Sequence, residues 1–178
     1  MAAIMNGMSL HQGIIPFGGT FLIFADYCKP SIRLSGLMEQ RVIYVLTHDS
    51  IGLGEDGPTH QPIEQLASLR ATPNVNVYRP ADTYETIECW EHALNTSKNP
   101  SVMALTRQKL SPIRHTFSKE NLCSYGAYEL DSSARNPTVT LYASGSEVNL
   151  AINTMKLLNK NKISCRVISV PCFELFKI

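Results

Sequence analysis

The chain has 178 residues, 44% of them hydrophobic, which is enough for a hydrophobic core and for one domain or one domain plus part of a second. Sixteen Lys and Arg residues against fifteen Asp and Glu give a formal net charge of +1, so no summed charge favours nucleic acid, an anionic membrane or a polyanionic partner. The five cysteines are odd in number and lack Cys-x-x-Cys spacing, which argues against a disulfide framework or a zinc knuckle and fits a reducing cytoplasm.

The N-terminal segment carries no charge before Asp26. Polar residues, glycines and a proline interrupt it and no basic segment precedes it, so neither a signal peptide nor a membrane span is expected. Met1, Ile4, Met5 and Met8 repeat at i, i+3, i+4 and i+7, which predicts a helix with one apolar face. We expect that face to be covered by a partner subunit or missing domain, or else by the chain's own core.

Short β-branched runs alternate with helical patterns through the next part of the chain. After a Gly/Pro break, a second helix is predicted from about Phe21 to Met38. Strands are predicted at Val42–Thr47, Val75–Tyr78 and Val102–Leu105, with helices near Pro62–Ser68 and Asp82–Thr96. This alternation is typical of parallel strands joined by right-handed crossovers, so the predicted fold class is α/β, a parallel sheet with helices on both faces.

The composition changes between Gln108 and Pro137, where Ser, Pro, Asn, Lys and Arg occur with little periodicity, as in a connection between domains. Beyond it, a strand at Thr138–Ala143, a helix at Ser146–Asn159 and a strand at Ser164–Val170 form one predicted βαβ unit. Two parallel strands and one helix cannot cover both faces of a sheet, so this second α/β unit is expected to be truncated.

The residues best suited to chemistry follow the predicted strand that ends near Thr47. The segment Thr47–Pro62 holds two histidines, three carboxylates and three glycines. Loops at the carboxyl ends of parallel strands hold the functional groups of many α/β proteins, because the sheet fixes the loop while its side chains stay accessible. This loop is the candidate site.

A dinucleotide site is one interpretation of this loop, since Gly52–Gly57 has the form G-x-G-x-x-G after a strand. Glu55 and Asp56 would place negative charges against a pyrophosphate, and Pro58 follows the last glycine. The next strand also ends in Tyr and Arg rather than in the expected acid. A nucleotide-binding oxidoreductase is therefore disfavoured.

Metal binding and plain turn structure are further interpretations. His48, Asp56 and His60 could form a two-histidine, one-carboxylate metal site, but their spacing matches no tight ligand signature, so a metal is not favoured. Alternatively, both histidines are hydrogen-bonded loop residues and Asp56 caps a turn. A third interpretation is proton transfer: imidazoles that exchange protons near pH 7 beside a carboxylate that orients a hydroxyl suit a polyhydroxylated substrate.

Two further groups have both structural and functional interpretations. Arg107 follows a predicted strand and could bind a phosphate bidentately, or could be a surface arginine. Phe21, Phe24 and Tyr27 lie at i, i+3 and i+6, which fits core packing or a flat heteroaromatic ring stacked on Phe24.

Taken together, these residues resemble the transketolase family in order and spacing over nearly the whole chain. The matching segments are Gly18–Tyr27, Thr47–Pro62, Arg79–Asp82, Arg107–Gln108 and Ala143–Val148. Related thiamine-diphosphate enzymes such as deoxyxylulose-phosphate synthase share a Gly-x-Asp-Gly-x-Thr-His core, but would not carry Thr-His-Asp-Ser before it. The resemblance implies a pyrimidine-binding domain at residues 1–110, a linker at 111–136 and an incomplete C-terminal domain at 137–178.

The resemblance also implies roles for the site residues. Phe21, Phe24 and Tyr27 match the pocket for the aminopyrimidine of thiamine diphosphate, with Phe24 stacking on that ring. The implied catalytic residues, which contact the donor and acceptor sugars and assist proton transfer, are His48 and His60. The other implied substrate-binding residues are Asp56, for the C2 hydroxyl, and Arg107, for the acceptor phosphate.

The family reaction transfers a two-carbon ketol unit from a ketose phosphate to an aldose phosphate, in the pentose phosphate pathway of the cytoplasm. The cofactor supplies the nucleophile, so the protein supplies orientation, proton transfer and charge. In the family, an N-terminal domain binds the diphosphate and Mg²⁺ through a Gly-Asp-Gly…Asn motif that is absent here, and the catalytic glutamate is expected just upstream of Met1. The chain is therefore expected to bind only the pyrimidine half of the cofactor, to bind no metal itself, and to be a fragment that is inactive alone.

The expected partners are sugar phosphates and a second protein chain, either in a homodimer or as a complementing subunit that carries the diphosphate-binding domain. A non-catalytic alternative is a small subunit that contributes half of a split thiamine-diphosphate site. Neither nucleic acid nor membrane is an expected partner.

Overall fold

The structure is a computed structural model that describes residues 1–116 and 118–176, with Ile51 described by its backbone alone. The chain divides into two compact units. Unit 1 comprises Met1–Tyr78 and Trp90–Lys109, and unit 2 comprises Arg79–Cys89 and the chain from Leu110. Within the described residues, no helix is long and apolar enough to cross a membrane.

Unit 1 is built on four strands. Its elements, in chain order, are α1 Ala2–His11, β1 Phe17–Phe21, α2 Ala25–Leu37, β2 Ile43–Asp49, α3 Gln65–Arg70, β3 Asn76–Tyr78 and β4 Ser101–Thr106, with 3₁₀ turns at Leu22–Phe24 and Ile51–Leu53. Between β3 and β4 runs α4, Thr83–Asn95, whose residues from Trp90 onward belong to this unit. All pairings are parallel, in the order β1-β2-β4-β3. The predicted parallel α/β sheet is confirmed.

Helices cover both faces of this sheet. On one face α1, α2 and α3 pack on alternate strand residues, and the buried cluster includes Met5, Ile32, Tyr44, Leu69 and Val102. On the other face, Phe17 of β1 meets the indole of Trp90 edge-on at 6.0 Å, and the Tyr78 ring lies 5.9 Å from the imidazole of His92. The inner strands β2 and β4 are largely buried on both faces, which explains why their sequences are apolar over most of their length.

The helix predicted from Phe21 to Met38 begins only at Ala25, and the Gly-rich stretch before it is strand β1. The prediction took Gly18 and Gly19 as a break. Their absent side chains instead allow close packing, because a Cβ on Gly18 would lie 2.8 Å from Sδ of Met5 in α1. Gly18 therefore lets α1 approach the strand, whereas a Cβ on Gly19 would lie 3.2 Å from the backbone oxygen of Val45 in β2, so neither glycine ends an element.

Helix α1 forms where the sequence predicts it, but with a different buried side. Met1 and Ile4 are 83% and 66% exposed, whereas Ala2, Met5 and Asn6 are buried. The Asn6 amide donates to the backbone oxygen of Ser31 in α2 at 2.9 Å and accepts from the Ser35 hydroxyl. The helix packs through a satisfied polar side chain that a hydrophobic period misses. Burial of the whole apolar face in the chain's own core is therefore wrong, and cover by a partner stays a prediction.

Unit 2 is a small mixed sheet with one helix on it. Its remaining elements are β5 Tyr128–Ser132, β6 Val139–Ala143, α5 Glu147–Lys160 and β7 Cys165–Ser169, with 3₁₀ turns at Leu122–Tyr125 and Phe173–Leu175. Strand β7 is central, parallel to β6 and antiparallel to β5. Val148, Ala151 and Met155 of α5 pack on Cys165 and Val167 of β7.

The predicted βαβ unit is confirmed as β6-α5-β7, but β5 was not predicted. It lies inside the segment 111–136, whose polar composition indicated a connection. Alternate residues of β5 are half-buried and exposed, with Glu129 and Asp131 on the exposed side, as in an edge strand with one face in contact with the core. The domain boundaries at 110 and 136 remain predictions.

Candidate active site

The carboxyl end of β2 is irregular, and this irregularity carries the first site histidine. The pairing of β2 with β4 shifts register between Leu46 and Asp49, and His48 in that interval has φ 63°. Positive φ is costly for a residue with a side chain and persists where the surroundings enforce it. The irregularity brings the His48 imidazole against the ring of Phe21, with centroids 3.7 Å apart and 26° between the planes.

The end of β1 and the start of α2 supply three aromatic rings in succession. Phe21 ends the strand, Phe24 precedes α2 and Tyr27 lies in its first turn. The Phe21 and Phe24 rings are nearly parallel, at 5.9 Å and 11°, and the Tyr27 ring lies 6.0 Å from that of Phe24. The pattern i, i+3, i+6 thus arises from a strand end, a 3₁₀ turn and a helix rather than from one continuous helix.

His60 reaches the same rings from the loop between β2 and α3. Its imidazole meets Phe24 edge-on at 5.4 Å and 77°, and its centroid lies 6.2 Å from that of Phe21. The structure therefore brings together all three predicted aromatic residues and both predicted histidines. We call Phe21, Phe24, Tyr27, His48 and His60 the aromatic–imidazole cluster.

Each histidine of the cluster is hydrogen-bonded through Nδ1 to the hydroxyl of the preceding threonine. Oγ1 of Thr47 lies 2.9 Å from Nδ1 of His48, and Oγ1 of Thr59 lies 2.9 Å from Nδ1 of His60. Within residues 1–116 and 118–176, neither Nε2 has a recorded hydrogen-bond partner. Because the hydroxyl contacts Nδ1, Nε2 is the ring nitrogen of each histidine that stays accessible to a bound molecule.

Arg107 and Asp56 contribute less directly. Nη2 of Arg107 lies 3.3 Å from Oε1 of Glu55, and the two side chains are 44% and 83% exposed, so this ion pair is weak. Asp56 is exposed and makes no hydrogen bond or ion pair within the described part of the chain. The structure therefore links Arg107 to the candidate loop, but does not place Asp56 against the cluster.

The Gly52–Gly57 run does not open a helix. A 3₁₀ turn at Ile51–Leu53 is followed by turns until α3 begins at Gln65. In a dinucleotide fold, the pyrophosphate sits on the helix that starts within the glycines, and that helix is missing from this stretch. No group of three or more metal-ligating side chains is found among the described residues either.

Sequence reasoning missed two glutamines that hold the loop. Nε2 of Gln108 donates to Oγ of Ser50 at 3.2 Å, and a Cβ on Gly52 would lie 2.5 Å from the Gln108 side chain. Gln108 is adjacent to Arg107 in a segment that the resemblance singled out, so a signal existed. Gln65 is 1% exposed at the other end of the loop, where the helical pattern gave no indication of a buried amide.

A cavity of about 380 Å³ adjoins the cluster. Its lining includes Gly18, Gly19, Thr20, Phe24, Tyr27 and Tyr44. The rings of Phe24 and Tyr27, beside the strand backbone of Gly18 and Gly19, suit a planar heteroaromatic group, which stacks on a ring face and hydrogen-bonds at its edge. The residues present thus fit the aminopyrimidine that the resemblance implies.

The other segments of the resemblance serve the structure of unit 2. The Arg79 guanidinium pairs with the Glu147 carboxylate and donates to the backbone oxygen of Ser144 at 2.7 Å. Burial alone would raise the pKa of Glu147, but hydrogen bonds from Arg79 and Ser146 outweigh it and lower that pKa. This pair holds the start of α5.

Glu85 of unit 2 is the most deeply buried carboxyl group that we find. Its oxygens accept hydrogen bonds from the hydroxyls of Tyr128, at 2.7 Å, and Ser169, and from the backbone N–H of Ala81 at 2.7 Å. Burial raises its pKa, and these three donors oppose that rise. Glu85 ties the first turns of α4, which belong to unit 2, to the small sheet, and sequence analysis indicated no role for it.

Unit 1 is therefore an α/β unit whose parallel strands carry, at their carboxyl ends, a cluster of aromatic rings and imidazoles beside a cavity that suits a planar ring. Residues 1–112 match the family model of the transketolase pyrimidine-binding domain, and residues 126–178 match that of the transketolase-like C-terminal domain. The chain belongs to the transketolase family.

Individual transketolases are also similar to this chain in sequence and in structure. The chain is 56% identical over 179 residues to transketolase of Sinorhizobium medicae, covering 100% of this chain and 26% of that protein. A transketolase mutant from Pichia stipitis, solved with fructose 6-phosphate, superposes with a TM-score of 0.93 at 44% identity, over 99% of this chain and 26% of that one. A split-gene transketolase, solved as an inactive β4 tetramer, gives 0.80 at 27% identity, over 96% and 53%. The chain spans about a quarter of the first two relatives.

Proposed function

We propose that this chain is part of a thiamine-diphosphate-dependent transketolase and supplies the pyrimidine side of a site that moves a two-carbon ketol unit from a ketose phosphate to an aldose phosphate. The observation that carries this proposal is the contact of both histidines, His48 and His60, with the rings of Phe21 and Phe24 beside a cavity for a planar ring. Because the chain covers 26% of its relatives, the activity requires the rest of the enzyme.

The aromatic residues divide the work of holding the aminopyrimidine. Phe24 and Tyr27 line the cavity and would stack on the ring, whereas Phe21 lies between His48 and Phe24. We propose that Phe21 supports the rings of His48 and Phe24 by packing against both. When bound, thiamine diphosphate supplies the nucleophilic carbon that accepts the ketol unit, and the protein keeps sugar and ring in register.

The histidines would hold and pass protons at the sugar oxygens. Their Nδ1 atoms are occupied by threonine hydroxyls, so Nε2 is the atom that meets a substrate hydroxyl or carbonyl. Asp56, exposed at the same loop, would accept a hydrogen bond from the C2 hydroxyl of the donor sugar. Arg107 would exchange its weak pair with Glu55 for a bidentate contact with the acceptor phosphate.

The remaining parts of the proposal concern what other chains supply. Diphosphate and Mg²⁺ would be held by the family's N-terminal domain, in a homodimer or on a complementing subunit. We place the reaction in the pentose phosphate pathway and in the cytoplasm, where the five free cysteines of this chain would remain reduced.

A graft tests this function. The chain replaces the matching segment of the Sinorhizobium medicae transketolase, and ketol transfer is measured with thiamine diphosphate and Mg²⁺. We expect turnover within about tenfold of the parent enzyme, a barrier change of no more than about 1.4 kcal/mol. Replacing His60 by Ala should reduce it strongly, whereas the same change at exposed His11 should not. A folded, cofactor-loaded graft without ketol transfer would overturn the proposal.

The second candidate function is that of a subunit in a split enzyme, which the likeness to the split-gene transketolase favours. In that case the isolated chain should form a stable complex with a separately produced diphosphate-binding chain and become active only in that complex. Sedimentation of the mixture, followed by the ketol-transfer assay, separates this candidate from a fragment that works only when covalently joined.

A further inference from the structure

We propose that Gln65 is a positioning residue that fixes His60 against Phe24. The effect of this role on catalysis rests on the proposed function, whereas the placement of His60 by Gln65 is argued from the contacts within this chain. Gln65 opens α3 and is 1% exposed, although its side chain is a polar amide. A buried amide is costly unless both its donor and its acceptor are satisfied, so its partners indicate what the position requires.

The Gln65 amide joins the two segments that carry the contacting rings. Its Oε1 accepts the backbone N–H of Ile63 at 2.9 Å, and its Nε2 lies 3.3 and 3.4 Å from the two carboxylate oxygens of Asp26. Ile63 is three residues after His60 in the loop. Asp26 lies in the first turn of α2, between Phe24 and Tyr27.

Among the described residues, the Gln65 amide makes the side-chain hydrogen bonds that we find between the His60 segment and α2. The side chain of Ile63 is 84% exposed and cannot fix the loop by packing. The other recorded bonds of His60 are local, from its N–H to the oxygen of Gly57 at 3.2 Å and from Nδ1 to the hydroxyl of Thr59. The 5.4 Å edge contact between His60 and Phe24 therefore depends on the Gln65 amide for its long-range support.

The partners of Gln65 also require a group that accepts at one end and donates at the other. A backbone N–H at one end requires an acceptor and a carboxylate at the other requires a donor, which is the combination that a carboxamide supplies. Gln65→Glu keeps the acceptor for Ile63 but places a second carboxylate against Asp26. Pairing that change with Asp26→Asn restores complementarity with the donor on the opposite side.

The experiment uses these variants in the 178-residue chain, with the imidazole resonances of the five histidines followed by NMR. We expect Gln65→Glu, and the nearly isosteric Gln65→Met, to shift the His60 resonances and leave those of His11 and His92 in place. Asp26→Asn alone should have little effect, because its amide oxygen still accepts from Gln65. The double variant Q65E/D26N should return His60 to its original shifts, and exposed Glu64→Gln is the matched control.

The same variants in the active graft give the catalytic readout. Misplacing a proton-transfer group by about 1 Å can cost on the order of a hundredfold, so Gln65→Glu should lower kcat about tenfold to a hundredfold with a smaller change in KM. The double variant should recover most of it. An unmoved His60 in folded Gln65→Met, or a double variant no better than Gln65→Glu, would overturn the inference. If the unmutated graft is inactive while His60 still follows the predicted shifts, the proposed function fails and the positioning role stands.

Discussion

The imidazole of His48 lies almost flat on the ring of Phe21, with 3.7 Å between centroids and 26° between planes. Phe21 ends β1 and His48 lies near the end of the neighbouring strand β2, where backbone of positive φ interrupts the register. The contact joins the aromatic part of the cluster to its imidazole part, so both residues offer direct tests of how the site is built.

Replacing Phe21 by Leu should release the His48 ring. An aromatic pair contributes about 0.5–1.5 kcal/mol beyond its buried area, so a stability loss of that size is expected. The ring-current shift of the His48 protons should also disappear in the NMR spectrum. Phe17→Leu, at the other end of the same strand and against Trp90, is the control and should leave the His48 protons unchanged. Unaltered His48 shifts in Phe21→Leu would contradict the stacked geometry.

The backbone at His48 should store strain that glycine relieves. Its φ of 63° lies in the left-handed region, which glycine adopts without steric cost. We expect His48→Gly to be more stable than His48→Ala by about 1 kcal/mol in urea denaturation, although both lose the imidazole. Thr47, the preceding residue, is the control position, where Thr47→Ala should be more stable than Thr47→Gly. Equal stabilities of the two His48 variants would show that the turn carries no strain.

Much of unit 1 could be predicted from sequence because short, largely apolar runs at β2, β3 and β4 alternate with helical patterns, which is typical of a parallel sheet covered by helices. Strand β1 was not predicted because Gly18 and Gly19 look like a break in a one-dimensional pattern, and the packing of Gly18 against Met5 and of Gly19 against Val45 appears only in three dimensions. Strand β5 escaped for a different reason. It is a short edge strand whose outward residues are acidic, so its composition is that of a loop.

The candidate site, like the fold, could be predicted from the sequence only in part. Residue types and their order indicated His48, His60 and the three aromatic residues, because each lies at or near the end of a predicted element. The link from Gln65 to Asp26 spans 39 positions and follows no period, so a single sequence carries no signal for it. The positive φ of His48 could not be predicted either, since histidine indicates left-handed backbone much less strongly than glycine does.

Unit 1 should lose stability as the solution is acidified below neutrality. Burial lowers the pKa of His92, whose Nδ1 lies 2.7 Å from the hydroxyl of Tyr78. The unfolded chain binds a proton at this histidine near pH 6.5 and the folded chain does so only at lower pH, so this contribution is present above about pH 6.5 and is lost as the pH falls.

Urea unfolding followed by the fluorescence of Trp90, the single tryptophan, measures this dependence. The free energy of unfolding should be lower at pH 5.5 than at pH 7.5, and His92→Gln should reduce the difference. His115→Gln changes an exposed histidine and should not. If the free energy of unfolding depends on pH in the same way with and without His92, other groups cause that dependence and the prediction is wrong.

Asp82 should be among the most sensitive residues of unit 2. One of its oxygens accepts the N–H of Glu85 at 2.9 Å and so caps α4, and the other accepts the N–H groups of Ile113 and Arg114 at 3.0 and 3.3 Å. Removing the cap costs about 1 kcal/mol, and each buried N–H left without a partner about 1–3 kcal/mol. Asp82→Ala should therefore lose about 3 kcal/mol or more in chemical denaturation followed by circular dichroism. Asp131 is exposed on β5, so Asp131→Ala is the control and should lose little. A loss at Asp82 no larger than that at Asp131 would contradict the capping role.

The claim on which the account depends is that Phe24 and Tyr27 receive the aminopyrimidine of thiamine diphosphate while Arg107 does not touch the cofactor. The most direct measurement is the dissociation constant of thiamine diphosphate for the graft at saturating Mg²⁺. Replacing an aromatic side chain that stacks on a heteroaromatic base by alanine costs about 1–3 kcal/mol, so Phe24→Ala should weaken binding by about tenfold to a hundredfold, and Arg107→Ala should leave it unchanged. Equal cofactor affinity in the unmutated and Phe24→Ala grafts would contradict the account.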